Sequence, residues 1–155
     1  MTELSARDIM TPDPFTIAPD AMVTEAARIL VEKRVGALPV VSGGVLVGLV
    51  TEGDLIMRDV KLEFPTYMHL LDGFIMYPPA TARFEHELKK AVAAHVSDVM
   101  TRKPITVQVG STLEDVATLL VERDVSRVPV LDGETLVGII TKADIVRSMF
   151  GGTGL

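Results

Sequence analysis

Two short runs hold the residues best suited to chemistry: GLVTEGD, with Thr51 and Asp54, and GIITKAD, with Thr141 and Asp144. In each, a threonine closes an apolar, β-branched stretch and an aspartate follows three residues later. This spacing puts the threonine where a strand passes into a helix, and the carboxylate one turn inside. Exposed N–H groups at a helix start, with a hydroxyl beside them, suit a phosphate. A carboxylate there can accept from two vicinal hydroxyls, which is what a ribose presents. The same spacing also fits a capping box, in which both side chains serve the backbone and contribute about 1 kcal/mol. The residues alone leave both readings open. Gly48 and Gly138, three residues before each threonine, allow close backbone approach near such a site.

Other chemistries find little support. All three histidines, His69, His86 and His95, fall between the two runs and show neither HxxxH nor HExxH spacing, so no metal site is expected. With no cysteine, the chain has no disulfide, no thiolate zinc site and no cysteine nucleophile. GxGxxG and GxxxxGK[ST] loops are absent, which argues against Rossmann and P-loop nucleotide binding. Neither Asp54 nor Asp144 has an obvious catalytic partner beside it in sequence, so no catalytic residue is assigned and an enzyme is not expected. With 21 acidic against 15 basic residues and a net charge of −6, a nucleic-acid partner is not expected either.

The elements that must position these residues come from an internal repeat. At an offset of 90, Asp8 to Ile56 lies on Asp98 to Val146 without a gap. DIMTPDPFTI matches DVMTRKPITV, AARILVEKRVGALPVV matches VATLLVERDVSRVPVL, and VLVGLVTEGDLI matches TLVGIITKADIV. Each copy reads as strand, helix, two strands and a second helix, an α/β pattern. Phe15 to Ile17 and Ile105 to Val109 are the first strands. Val23, Ala26, Ala27 and Leu30, like Leu113, Val116, Ala117 and Leu120, recur at helical spacing. Asp20 and Ser111 are the expected N-caps, Ser111 forming a box with Glu114. Leu38–Val41 and Val45–Val50 form a hairpin around Ser42-Gly43-Gly44, repeated as Val128–Leu131 and Thr135–Ile140 around Asp132-Gly133-Glu134. Pro39 and Pro129 point to edge or strand-start positions. The two copies are expected to pack face to face about a pseudo-twofold axis.

The expected organisation is repeat 1 over 1–58, a helical insert or linker over 59–96, repeat 2 over 97–150 and a flexible tail over 151–155. The insert holds five of the seven aromatics and a helical stripe of Phe84, Leu88, Val92 and His95, suited to packing on the core or to a partner surface. Phe64 to Ala82 is apolar, but Pro65, Asp72, Gly73, Pro78 and Pro79 rule out a membrane span. No signal-peptide pattern is evident, so a soluble cytoplasmic protein is expected.

The DxMT-x-x-P-x-T opening, the h-x-h-P-V strand and the G-h-h-T-x-x-D ending, each present twice and in order, resemble a tandem pair of cystathionine-β-synthase-type (CBS) domains, the Bateman module. The resemblance covers nearly the whole chain except the insert. It implies a regulatory or sensor module that binds an adenosyl ligand (AMP, ADP, ATP or S-adenosylmethionine) in clefts between the repeats. Such a module pairs into a homodimer and passes its binding state to a separate effector protein. No obligatory cofactor is implied, with magnesium admitted alongside a polyphosphate. Within this family, ribose binding by Thr141 and Asp144 moves ahead of the capping reading. The residues before the h-P-V strand commonly meet phosphates, which here means Ser126 and Arg127; Gly36 and Ala37 of the first copy cannot do so. The adenine would lie in an apolar slot with Val35 and the backbone near Ser5 and Ala6. A second possible ligand site uses Thr51, Asp54 and Val125, with the backbone of His95 to Ser97.

Charge separates the copies further. Lys142 opens a helix, where a cation opposes the dipole and an anion nearby would offset it; the matching residue, Glu52, would repel a phosphate. The second-copy site is therefore the expected nucleotide site. The alternative function is a ligand-free dimerisation or interaction module, and a small hydrolase or transferase ranks below it.

Overall fold

A computed structural model describes residues 3–60 and 94–151, the side chains of 57–60 excepted. The insert and its aromatic stripe fall almost wholly outside the described residues. In chain order the elements are α1 (Ala6–Ile9), β1 (Thr11–Pro12), α2 (Val23–Lys33), β2 (Ala37–Ser42), β3 (Val45–Thr51) and α3 (Glu52–Val60). They continue as α4 (Val96–Val99), β4 (Thr101–Arg102), β5 (Val107–Gln108), α5 (Leu113–Glu122), β6 (Arg127–Asp132), β7 (Thr135–Thr141) and α6 (Lys142–Phe150). The two hairpins and the four longer helices fall where the apolar periodicities put them, and the fold is α/β with two copies of one unit; the strand expected over Phe15 to Ile17 is only a bridge at Ile17, and that over Ile105 to Val109 shortens to β5.

Two compact units result, and they do not follow the sequence repeat. The first comprises Met1–Thr16, Val41–Val47 and Arg102–Leu155; the second comprises Ile17–Val40 and Gly48–Thr101. In the first unit the sheet order is β1-β7-β6-β5. β6 and β7 are antiparallel, Arg127 opposite Thr141 and Val128 opposite Ile140, while β5 adds parallel to β6 at Val130 and Leu131. β1, from the opening of the first copy, lies antiparallel on β7, with Pro12 opposite Gly138. The core is aliphatic: Ala6, Ile9, Val107, Val116, Leu120, Val128, Val130, Ile140 and Ile145. Helices α1, α5 and α6 pack around it.

The exchanged opening is held by backbone bonds. Ala6 N donates to Ser111 O (2.7 Å), Arg7 N to Val109 O (3.1 Å), and Leu113 N to Leu4 O (2.9 Å). Ninety residues away, in the second unit, the same set recurs: Val96 N to Ala21 O (2.8 Å), Ser97 N to Pro19 O (2.9 Å), and Val23 N to Ala94 O (2.8 Å). There the sheet order is β2-β3-β4, Ile17 bridges Val40 in parallel, and Ala26, Leu30, Leu38, Val40 and Val50 are buried. Each copy therefore has its opening turn inserted against the body of the other copy's sequence.

Several expectations change on this frame. Gly48 and Gly138 make room for methionine. A Cβ on Gly138 would collide with Sδ and Cγ of Met10, and one on Gly48 would stand 2.5 Å from Met100 Sδ. The cap of α5 is Thr112, whose hydroxyl accepts from Asp115 N at 3.1 Å, because Ser111 is used in the turn and its carbonyl receives Ala6. Likewise Met22, not Asp20, precedes α2 as its cap residue. Pro129 is on an interior strand, yet β5 pairs only with the two residues after it, so β5 asks no donor of the proline.

Candidate functional site

The second-copy residues meet at the junction of β6, β7 and α6. Thr141 ends β7 and stands opposite Arg127, the first residue of β6. Lys142 N, at the first position of α6, donates to Ser126 O at 3.0 Å, which fixes the Ser126–Arg127 corner beside the helix start. Backbone pairing thus brings Ser126, Arg127, Thr141, Lys142 and Asp144 together, though they come from two stretches of chain. Ser126 and Lys142 are exposed, Thr141 and Arg127 half-buried. Asp144, 7% exposed, is the one buried charged residue among those described.

Thr141 and Asp144 close a complete capping box. Asp144 Oδ2 accepts from Thr141 N (2.9 Å) and from Thr141 Oγ1 (3.1 Å), while Asp144 N donates to Thr141 Oγ1 (3.2 Å). Thr51 and Asp54 repeat it in the second unit, at 2.8 Å and 3.2 Å. The capping chemistry is therefore real in both copies, and any ligand must use what the box leaves. At Asp144 that is Oδ1, which carries a residue the sequence reading missed: Arg147 Nη1 donates to it at 2.9 Å. Its signal was an acid and a base three apart on one helix, a common surface pairing with nothing to mark it as special.

Arg127 is unusual in another way. Its Nε is buried without a hydrogen-bond partner among the described residues. An unpartnered buried donor costs about 1–3 kcal/mol, more for a charged group, so an acceptor at that point would recover a substantial amount. The first-copy counterpart is Ala37, 7% exposed and with no polar side chain. The clusters consequently differ in charge. The second copy gathers Arg127, Lys142 and Arg147 around Asp144; the first places Glu52 beside Asp54. Val35 and Val125 occupy matching places in their own units, each half-buried and each directly after a residue of positive φ, Arg34 (54°) or Asp124 (51°).

The family model for the CBS domain matches residues 6–61 and again 96–151. The chain belongs to the CBS-domain family. It is a tandem CBS pair, the architecture of a regulatory module. Over 151 residues it is 30% identical to the uncharacterized protein MJ1426 of Methanocaldococcus jannaschii, an alignment covering 92% of this chain and 89% of that one. It is 33% identical over 150 residues to CBSX2 of Arabidopsis thaliana, a chloroplastic CBS-domain protein, covering 91% of this chain and 61% of CBSX2. The crystal structure of CBSX2 in complex with AMP matches with a TM-score of 0.73 and 30% identity, over 97% of this chain and 98% of that one. CBSX2 thus binds AMP on the same fold. Among the described residues of this CBS pair, no helix is long and apolar enough to cross a membrane.

Proposed function

We propose that this CBS pair is a non-catalytic sensor that binds an adenine nucleotide at the second-copy junction and relays its occupancy to a separate effector protein, as a homodimer. Asp144 takes the ribose hydroxyls through Oδ1, and the positive end of the α6 dipole, at Thr141, favours a phosphate beside it. Ser126, Arg127 and Lys142 supply the phosphate's further donors. The observation that carries this reading is the buried Nε of Arg127, unpartnered among the described residues, beside a helix start in the copy that also gathers the cations. The AMP complex of CBSX2 supports the ligand class. Thr51 and Asp54 form a weaker second site, suited to an uncharged nucleoside, because Glu52 repels phosphate.

Calorimetric titration with AMP, ADP, ATP and S-adenosylmethionine tests the proposal. Arg127→Ala is expected to weaken AMP by about tenfold or more and to spare adenosine, since a charged hydrogen bond to phosphate is worth on the order of 2 kcal/mol. The second reading, an interaction module that binds no ligand, draws on the closed capping boxes in both copies. It predicts no heat with any of the four ligands.

A further inference from the structure

The carboxylate offered to a ligand is not free to receive one. Asp144 Oδ2 is fully used by Thr141, and Oδ1 is held by Arg147, whose side chain is 70% exposed against 9% for that of Asp144. The two ends of this pair therefore differ: the guanidinium can swing into water at little cost, while the carboxylate cannot turn away from its box. Position 57, which matches 147 in the first copy, is methionine and has no donor. In the second copy the carboxylate thus carries an internal occupant.

We propose that Arg147 is a specificity residue that acts by competition: it occupies Asp144 Oδ1 until vicinal hydroxyls displace it. This rests on the reading of the second-copy junction as a ligand site. A ligand whose only polar grip is its ribose must give up a charged hydrogen bond to obtain a neutral one. A ligand that also engages Arg127 and Lys142 through phosphate overcomes that competition. Arg147 thus raises the threshold for nucleosides and leaves the site to nucleotides.

The test is calorimetry on the full chain with adenosine, directly or by displacement of AMP, for the wild type, Arg147→Met, Asp144→Ala and the double variant. Arg147→Met is expected to raise adenosine affinity about two- to fivefold, the factor a partly exposed ion pair represents. The same change in the Asp144→Ala background should have no effect. Wild-type adenosine affinity should also rise between about 0.05 and 0.3 M salt, as screening loosens the pair, and Arg147→Met should abolish that rise. A purely structural arginine would produce neither the coupling nor the salt effect. If AMP binds but Arg147→Met leaves adenosine affinity unchanged or lower, the competition is refuted and the ligand reading stands. If neither AMP nor adenosine binds the wild type or Arg147→Met, the ligand reading falls and this inference with it.

Discussion

Replacing Asp144 by alanine separates what the box does for the fold from what it does for a ligand. The carboxylate serves Thr141 N at 2.9 Å, Thr141 Oγ1 at 3.1 Å and Arg147 Nη1 at 2.9 Å, and it is buried. Its removal deprives α6 of half its cap, worth about 1 kcal/mol. It also leaves Thr141 N without its acceptor at a half-buried position and releases Arg147, which together add about as much again. Asp144→Ala should therefore cost about 2 kcal/mol without ligand. Asp54→Ala, which loses a half-buried box, should cost about 1 kcal/mol. For a chain of this size those losses correspond to melting shifts of roughly 6 and 3 °C. Denaturant unfolding of the two variants checks the order. Equal losses would refute the idea that burial and the Arg147 pair make the Asp144 box the stronger of the two. Calorimetry then gives the functional half. AMP should weaken about tenfold or more in Asp144→Ala, since 1.4 kcal/mol is a factor of ten, and less in Asp54→Ala. AMP affinity kept in Asp144→Ala and lost in Asp54→Ala would move the site to the first copy. Stability losses with AMP affinity untouched in both would leave the threonines and aspartates as caps alone.

Gly138→Ala should destabilise by about 1–3 kcal/mol through overpacking against Met10, and adding Met10→Ala should recover part of that loss, a non-additivity readable by thermal unfolding. Thr112→Ala should cost about 1 kcal/mol, whereas Ser111→Ala should change little, because the hydroxyl that caps α5 belongs to Thr112. Ser5 holds the Asp8 carboxyl below its ordinary value of 3.8, through the backbone N–H and then the hydroxyl, with a smaller contribution from Arg7. A depressed carboxylate stabilises the fold above its unfolded value and loses that stabilisation as pH falls through its folded one. Asp8→Asn should accordingly flatten the stability profile below about pH 4, monitored by denaturant midpoints across an acid series.

The elements were legible because the chain states them twice, once in each copy. The β2–β3 and β6–β7 hairpins and the four longer helices fall within a residue or two of their apolar runs, since β-branched runs with a glycine turn and helical stripes fix type and extent locally. The partnering of the openings was not legible. DIMT and DVMT are alike, and a pattern cannot say against which copy's sheet each will lie; the answer is in bonds such as Ala6 N to Ser111 O, ninety and more residues from local reach. The glycines announce a close approach in the sequence, and only the fold shows that Met10 makes one. At the site, Thr141 and Asp144 were found by spacing, while the hold of Arg147 on Oδ1 depends on a rotamer that spacing does not specify.

The exchanged openings bear on how this chain arose and how it must fold. A single ancestral copy would present a sheet edge awaiting a strand and an opening segment with no sheet of its own. Two such chains could satisfy each other reciprocally, so a strand-swapped dimer of half-length chains is a natural precursor, and gene fusion would turn that dimer into one polypeptide. Severing the chain within 61–93 should leave halves that are incomplete alone and complementary when mixed. Folding, for its part, cannot complete the first unit until nearly the whole chain has been synthesised: β1 leaves the ribosome early, yet its place beside β7 exists only after residue 141 has followed.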